Sequence, residues 1–186
     1  MKINAARFDK IAILRVIQCE KERGRAVSMN EQEYQRRVRE CLPSLYRVAR
    51  AILYDEQDCA DAVQEAVFQG WLKRGQLCDV ERFRAWLSRI TVNACRSLQR
   101  GKLKQKRAVE AGVERLRQAP PRPSSALEAA LSKLPEKYRL PIVLYYIEAY
   151  STREIAAMLE LPEGRIRDRM RAARKLLERM LNHEED

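Results

Sequence analysis

Histidine is nearly absent from this chain: the single one, His183, stands close to its end. That removes the commonest general base and the commonest metal ligand from almost the whole sequence. Glycines are few, six in 186 residues, and alternating β-branched runs are missing, which argues against a strand-rich chain with many tight turns. No apolar run approaches membrane-spanning length. One of the longest, residues 142–147, has six residues, against the roughly 20 that a spanning helix needs.

Cysteine is present but not in any useful pattern. Cys19, Cys41, Cys59, Cys78 and Cys95 fall singly at long intervals, with no CxxC pair. Neither a zinc site nor a disulfide framework is legible, so no metal and no cofactor is expected. Scattered thiols of this kind read as small buried hydrophobes in a reducing cytoplasm. The basic start, with Lys2, Arg7 and Lys10, precedes a short apolar stretch interrupted by Arg15. No small-residue cleavage site follows, and no export signal is expected. With no spacing of histidine, cysteine and carboxylate suited to catalysis, an enzyme is not expected either.

Charge is abundant. Lys and Arg number 37 against 26 Asp and Glu, for a formal net charge of +11, and the first expectation for such a balance is a polyanionic partner. Apolar residues recur at three- and four-residue steps through most of the chain, which predicts an all-α protein. The break in this pattern is Ala119-Pro120-Pro121-Arg122-Pro123-Ser124-Ser125, where prolines remove backbone donors and forbid a continuous helix. The expected organisation is two small helical domains, 30–101 and 126–183. A basic flexible linker, 102–125, joins them and an extension, 1–29, precedes them. The first part of the linker is able to continue a helix.

In the first domain a short helix through Val38, Cys41 and Leu42 is expected to give way to a new one opened by Pro43. The next helix, about 58–74, divides into an apolar arc of Ala62, Val63, Ala66, Val67, Gly70 and Trp71 and an opposite polar arc. Asp58, Asp61, Gln64 and Glu65 form that polar arc, with Phe68 at its edge where no core residue is expected. A third helix, about 80–100, buries Phe83, Trp86, Leu87, Ile90 and Ala94 and turns Arg82, Arg89, Arg96 and Arg100 outwards.

In the second domain Leu127, Leu131 and Leu134 precede Pro135 and an apolar helix, 138–147. Ser151-Thr152-Arg153-Glu154 has the form of a capping box, and it opens a helix carrying Ile155, Met158 and Leu159. A turn at Leu161-Pro162-Glu163-Gly164 leads into a last helix with Ile166, Met170, Ala173, Leu177 and Met180 on its buried stripe. This is the spacing of a helix-turn-helix. Arg165, Arg167, Arg169, Arg171, Arg174 and Lys175 crowd the rest of that helix, where a recognition helix meets base edges and phosphates. Asp168 interrupts them, as an acceptor for a cytosine amino group, as a brace for a neighbouring arginine, or simply at a cost in affinity through phosphate repulsion.

The stretch from Tyr150 to Leu177, with Ser151-x-x-Glu154-Ile155-Ala156-x-x-Leu159 and Arg171-Ala-Ala-Arg174, resembles region 4 of bacterial sigma factors. Leu131-x-x-Leu134-Pro135-x-x-x-Arg139 is similar to the entry to that region. Leu45-Tyr-Arg-Val-Ala-Arg, Asp58-Cys-Ala-Asp-Ala-Val-Gln-Glu-Ala-Val-Phe68 and Phe83-Arg-Ala-Trp-Leu-Ser-Arg-Ile-Thr-Val-Asn93 resemble region 2, in the same order. A linker in place of a region 3 domain is the layout of the extracytoplasmic-function (ECF) subgroup.

The resemblance implies a non-catalytic subunit that binds core RNA polymerase and directs transcription initiation from particular promoters, with promoter DNA and an anti-sigma factor as further partners. It makes Asp58, Asp61, Gln64, Glu65 and Phe68 the polymerase-binding set. Arg89, Asn93, Arg96 and Arg100 become readers of the minus-ten element, and Arg165, Arg167, Asp168, Arg169, Arg171 and Arg174 readers of the minus-thirty-five element. Phe83 and Trp86 fit the core better than a base-stacking platform. Ala60, Ser97, Pro162, Arg165 and Asp168 depart from the usual family residues, so the clamp contact and the promoter sequence are expected to differ from the family average. Neither block reaches into residues 1–28, and Met29 stands just before the first; core binding is expected not to need that extension. Two other readings stay open, a helix-turn-helix regulator that is not a polymerase subunit and a helical scaffold that binds only protein.

Overall fold

The computed structural model describes residues 29–109 and 126–182, and no strand occurs among them. Helix α1, Glu31–Arg50, starts where the Asn30 side chain accepts from the Glu33 amide at 2.9 Å. It does not break at Pro43, which lies inside it. The expected two short helices are one, because Cys41, Ser44, Leu45 and Val48 on either side of the proline are all buried on the same stripe. That packing offsets the missing amide hydrogen bond.

Helix α2, Glu56–Lys73, is capped by Asp55, whose carboxylate accepts from the Asp58 amide. Its apolar arc is as expected: Cys59, Ala62, Val63, Ala66 and Gly70 are buried, while Val67 and Trp71 lie partly buried against the core. At Gly70 the helix passes so close to α1 that an added Cβ would stand 2.5 Å from the Tyr34 hydroxyl. That hydroxyl donates to the Val67 carbonyl at 2.6 Å. A single-turn 3-10 helix, Val80–Arg82, leads into α3, Phe83–Val109. Phe83 and Leu87 are buried, and Trp86, Ile90 and Ala94 pack half-buried on them. Helix α3 runs past Gly101, eight residues into the stretch read as linker. The prolines 120, 121 and 123, and Cys19 and His183, lie outside the described residues.

The second domain comprises α4, Ala126–Lys133, α5, Glu136–Ile142, α6, Thr152–Leu159, and α7, Glu163–Asn182. After Pro141 inside α5 the helix widens into a π turn, Val143–Ile147, closed by the Glu148 amide on the Val143 carbonyl. The apolar helix expected over 138–147 thus begins two residues earlier and ends in this wide turn. Ser151 and Glu154 complete the capping box of α6.

The two domains pack directly against each other. One apolar cluster joins Leu45, Val48, Ile52, Leu87, Val92 and Cys95 of the first to Leu140, Leu144, Tyr150, Ile155 and Met158 of the second. Arg139, 4% exposed, reaches across: its Nε donates to the Ala51 carbonyl at 2.8 Å, while its guanidinium lies over the Tyr54 ring. It also donates to the Leu134 carbonyl, so the arginine in the Leu-Pro-x-x-x-Arg motif satisfies the carbonyl ends of α1 and α4 at once.

Candidate nucleic-acid and partner surfaces

The acidic arc of α2 stands in solvent. Asp61, Gln64 and Glu65 are exposed, and Phe68 is 55% exposed. Phe68 is thus a large apolar side chain left in water on a helix whose other face fills the core. Leu72, one turn further along the same arc, is 58% exposed and extends the patch. The four-residue step from Phe68 to Leu72 is the signal for this extension in the sequence. Asp58 is set apart from the others: half-buried, it is ion-paired to Lys102 of α3.

The structure brings together residues that the resemblance assigns to different partners. A groove of about 430 Å³ between α2 and α3 is lined by Asp61 and Glu65 on one wall and by Asn93 on the other. Along α3, Arg89, Asn93, Arg96 and Arg100 form one stripe, with Asn93 and Arg100 exposed and the other two half-buried. Arg89 donates to Glu160 at 2.7 Å, and Arg96 approaches Glu136 at 4.0 Å. Phe83 is 2% exposed and Trp86 packs beside it at 5.9 Å between ring centroids. Phe83 is thus a core residue, and Trp86 is partly buried against the core.

Helices α6 and α7 form the helix-turn-helix. Glu160 ends α6 in the left-handed conformation, with φ 57°, an arrangement usually left to glycine or asparagine. The turn is tied at its far side by the Thr152 hydroxyl, which donates to Glu163 at 2.7 Å, and this link fixes the start of α7 against the start of α6. Ile166, Met170 and Ala173 are buried. On the outer side Arg165, Arg167, Asp168, Arg171 and Arg174 are exposed, and Arg169 is half-buried. Arg167 pairs with Glu163 at 3.2 Å, and Arg171 lies 3.7 Å from Asp168 with both side chains largely in solvent. The exposed opening turn of α7, rich in guanidinium groups and amide donors, is suited to a groove lined by phosphate.

Buried groups are accounted for. Burial pushes the Cys59 thiol up to about 11 and the Cys95 thiol up to about 12. Cys41 is raised as well, for the same reason. Among the described residues no group of three or more histidine, cysteine or acidic side chains is placed to hold a metal, and no helix is long and apolar enough to cross a membrane.

Residues 37–105 match the family pattern described as Sigma-70 region 2, and residues 124–177 the one described as Sigma-70, region 4. The chain belongs to the sigma-70 family of RNA polymerase sigma factors. Within it, the chain is similar to the ECF RNA polymerase sigma factor SigM of Mycobacterium tuberculosis, 31% identical over 75% of this chain and 72% of that protein. It is also 30% identical to the probable RNA polymerase sigma factor RfaY of Xanthomonas campestris over 77% of this chain, which spans 39% of that relative's length. Among solved structures, CnrH in complex with the cytosolic domain of CnrY superposes with TM-score 0.62 at 28% identity, covering 87% of this chain and 96% of that one. The sigma factor RpoE of Bartonella quintana, in complex with the anti-sigma factor NepR, shares the fold with TM-score 0.69 at 22% identity, over 81% and 98%. The likeness to SigM places the chain in the ECF group.

Proposed function

We propose that this chain acts as a promoter-selecting subunit in the cytoplasm, with α2 holding core RNA polymerase, α3 taking the opened minus-ten strand and α7 reading the minus-thirty-five duplex. The observation that carries this reading is the coexistence of two separate exposed surfaces of opposite character. One is acidic and apolar, made by Asp61, Glu65, Phe68 and Leu72; the other is the guanidinium-rich outer side of α7. A self-sufficient repressor has use for the second but not for the first. The acidic face fits a basic partner, and charge complementarity of this kind sets docking orientation and association rate. Asp58 joins that set more weakly, since Lys102 already engages it.

One neighbouring structure holds the sigma factor RpoE with the anti-sigma factor NepR, and the other holds CnrH with the cytosolic domain of CnrY; the proposal includes an anti-sigma partner for this chain. The role asks for no chemistry of the chain's own, so it is assigned no catalytic residue. The test is a run-off transcription assay. Purified chain is mixed with bacterial core polymerase and a library of promoter fragments from its own genome. Discrete transcripts that depend on the added chain are expected. DNA binding without polymerase-dependent transcripts would favour the free-standing regulator, and neither activity would favour the scaffold.

A further inference from the structure

The exposed patch on α2 lies beside the point where the chain enters the fold. Met29 is buried in the main core cluster, and Asn30 caps α1. One turn further on, the Tyr34 hydroxyl donates to the Val67 carbonyl at 2.6 Å, and its ring meets that of Trp71 edge-on at 5.3 Å between centroids. Val67 and Trp71 directly precede Phe68 and Leu72, the two apolar members of the patch. The start of α1 is therefore packed against the half of α2 that carries them, and residues 1–28 are tethered next to it.

That segment is complementary to the patch. It holds seven Lys or Arg against three Asp or Glu, and its apolar residues gather in one stretch that includes Phe8, Ile11, Leu14 and Ile17. The patch offers apolar Phe68 and Leu72 beside Asp61 and Glu65, whose carboxylates accept from the neutral amides of Gln57 and Gln69 on the same helix. Reach is sufficient. From Ile17 to Met29 an extended chain spans up to about 40 Å, whereas Asp61 and Leu72 stand about 17 Å apart along the helix axis. A short tether holds such a segment at about millimolar local concentration, which favours it over a second copy of the chain.

We propose that residues 1–28 occupy the α2 patch through this apolar stretch and their positive charge, and that they compete there with core polymerase. The competition rests on the reading of α2 as the polymerase-docking face; the occupancy does not. The extension is then an inbuilt brake on assembly, one that core binding does not need and that lowers core affinity while in place. An extension seated about three-quarters of the time lowers apparent core affinity about fourfold.

The first measurement uses the full chain and no polymerase. Cys19, inside the extension, is offered a second thiol by Q64C within the acidic arc or by Q32C at the start of α1, both exposed positions. In an oxidised glutathione buffer, mass spectrometry follows the disulfide between Cys19 and the introduced thiol, with the unsubstituted chain as background. Position 32 is nearer to Cys19 along the chain, so a segment without a preferred seat links there faster. Q64C is expected to link about threefold faster than Q32C. Adding I11S/L14S/I17S, which leaves the charge unchanged, is expected to abolish that preference. Linkage at Q64C no faster than at Q32C, or unaffected by the serines, overturns the occupancy.

The second measurement is affinity for bacterial core polymerase, by titration of the labelled full chain. I11S/L14S/I17S is expected to bind about threefold more tightly than wild type, with circular dichroism confirming its helices. Preferred linkage with unchanged core affinity overturns the competition. If D61K/E65K then also assembles normally, it is the assignment of α2 to polymerase that has failed.

Discussion

Arg84 of α3 and Glu148, the residue after the π turn of the second domain, meet at 2.8 Å around a carboxylate with no exposed surface. Burial alone would raise the carboxyl's proton affinity, but the hydrogen bonds from Arg47, Ser44 and Arg84 outweigh it and leave the group below its ordinary value of 4.5. A folded-state value that is depressed contributes stability above the unfolded value, lost as pH falls through the folded one. Wild type is therefore expected to melt above E148Q at neutral pH, with the gap closing as pH falls below the ordinary carboxyl value of 4.5. Breaking a buried pair typically costs about 3–5 kcal/mol. Because Arg47 and Arg84 are 49% and 43% exposed, a loss of about 1–3 kcal/mol is expected here instead. Thermal melts at a series of pH values check this, and a gap that widens on acidification would contradict it.

The close approach at Gly70 gives a second expectation. An alanine there would set its Cβ 2.5 Å from the Tyr34 hydroxyl and 2.8 Å from Leu87 Cδ1. G70A should cost about 1–3 kcal/mol through forced displacement of packed side chains. Y34F/G70A should recover part of that loss, as chemical denaturation would show.

On the α2 surface, D61K/E65K should keep the fold, because both side chains are exposed and their hydrogen bonds are to Gln57 and Gln69 on the same helix. Co-purification with core polymerase should be lost, as like charges facing each other across an interface cost several kcal/mol. F68A/L72A should weaken assembly without reversing any charge. A folded D61K/E65K protein that assembles normally would move the docking surface elsewhere.

For α7, R165A and R167A should each weaken binding to double-stranded promoter DNA, by about 1–3 kcal/mol where a base contact is lost. A side chain that touches only phosphate should instead lower affinity evenly over all sequences. A gel-shift panel of promoter and scrambled duplexes separates the two, and unchanged binding in the double variant would exclude α7 as the reader.

Thiol chemistry offers a check on the core. Cys59 and Cys95, raised to about 11 and about 12, and the buried Cys41 should resist iodoacetamide in the folded protein at about pH 8, since only thiolate reacts. Mass spectrometry before and after denaturation reads the labelled positions. Rapid native labelling of Cys95 would mean that the junction around it opens readily.

The sequence by itself determined whatever depends on near neighbours in the chain. The Ser151–Glu154 capping box, the buried Ile166, Met170 and Ala173, and the split of α2 into apolar and acidic arcs are all set by helical periodicity and local capping. Tertiary structure decided the rest. Pro43 reads locally as a helix start, yet it lies within α1 because the residues around it are buried together. Glu148 and Arg84 are 64 residues apart, and nothing local announces that a carboxylate beside an apolar run is to be buried between domains. A basic, proline-interrupted stretch suggests independent modules, but whether modules dock depends on shape and charge matched across distant segments. That matching appears only when the helices are packed, and it is what brings Glu136, Glu148 and Glu160 onto the arginines of α3.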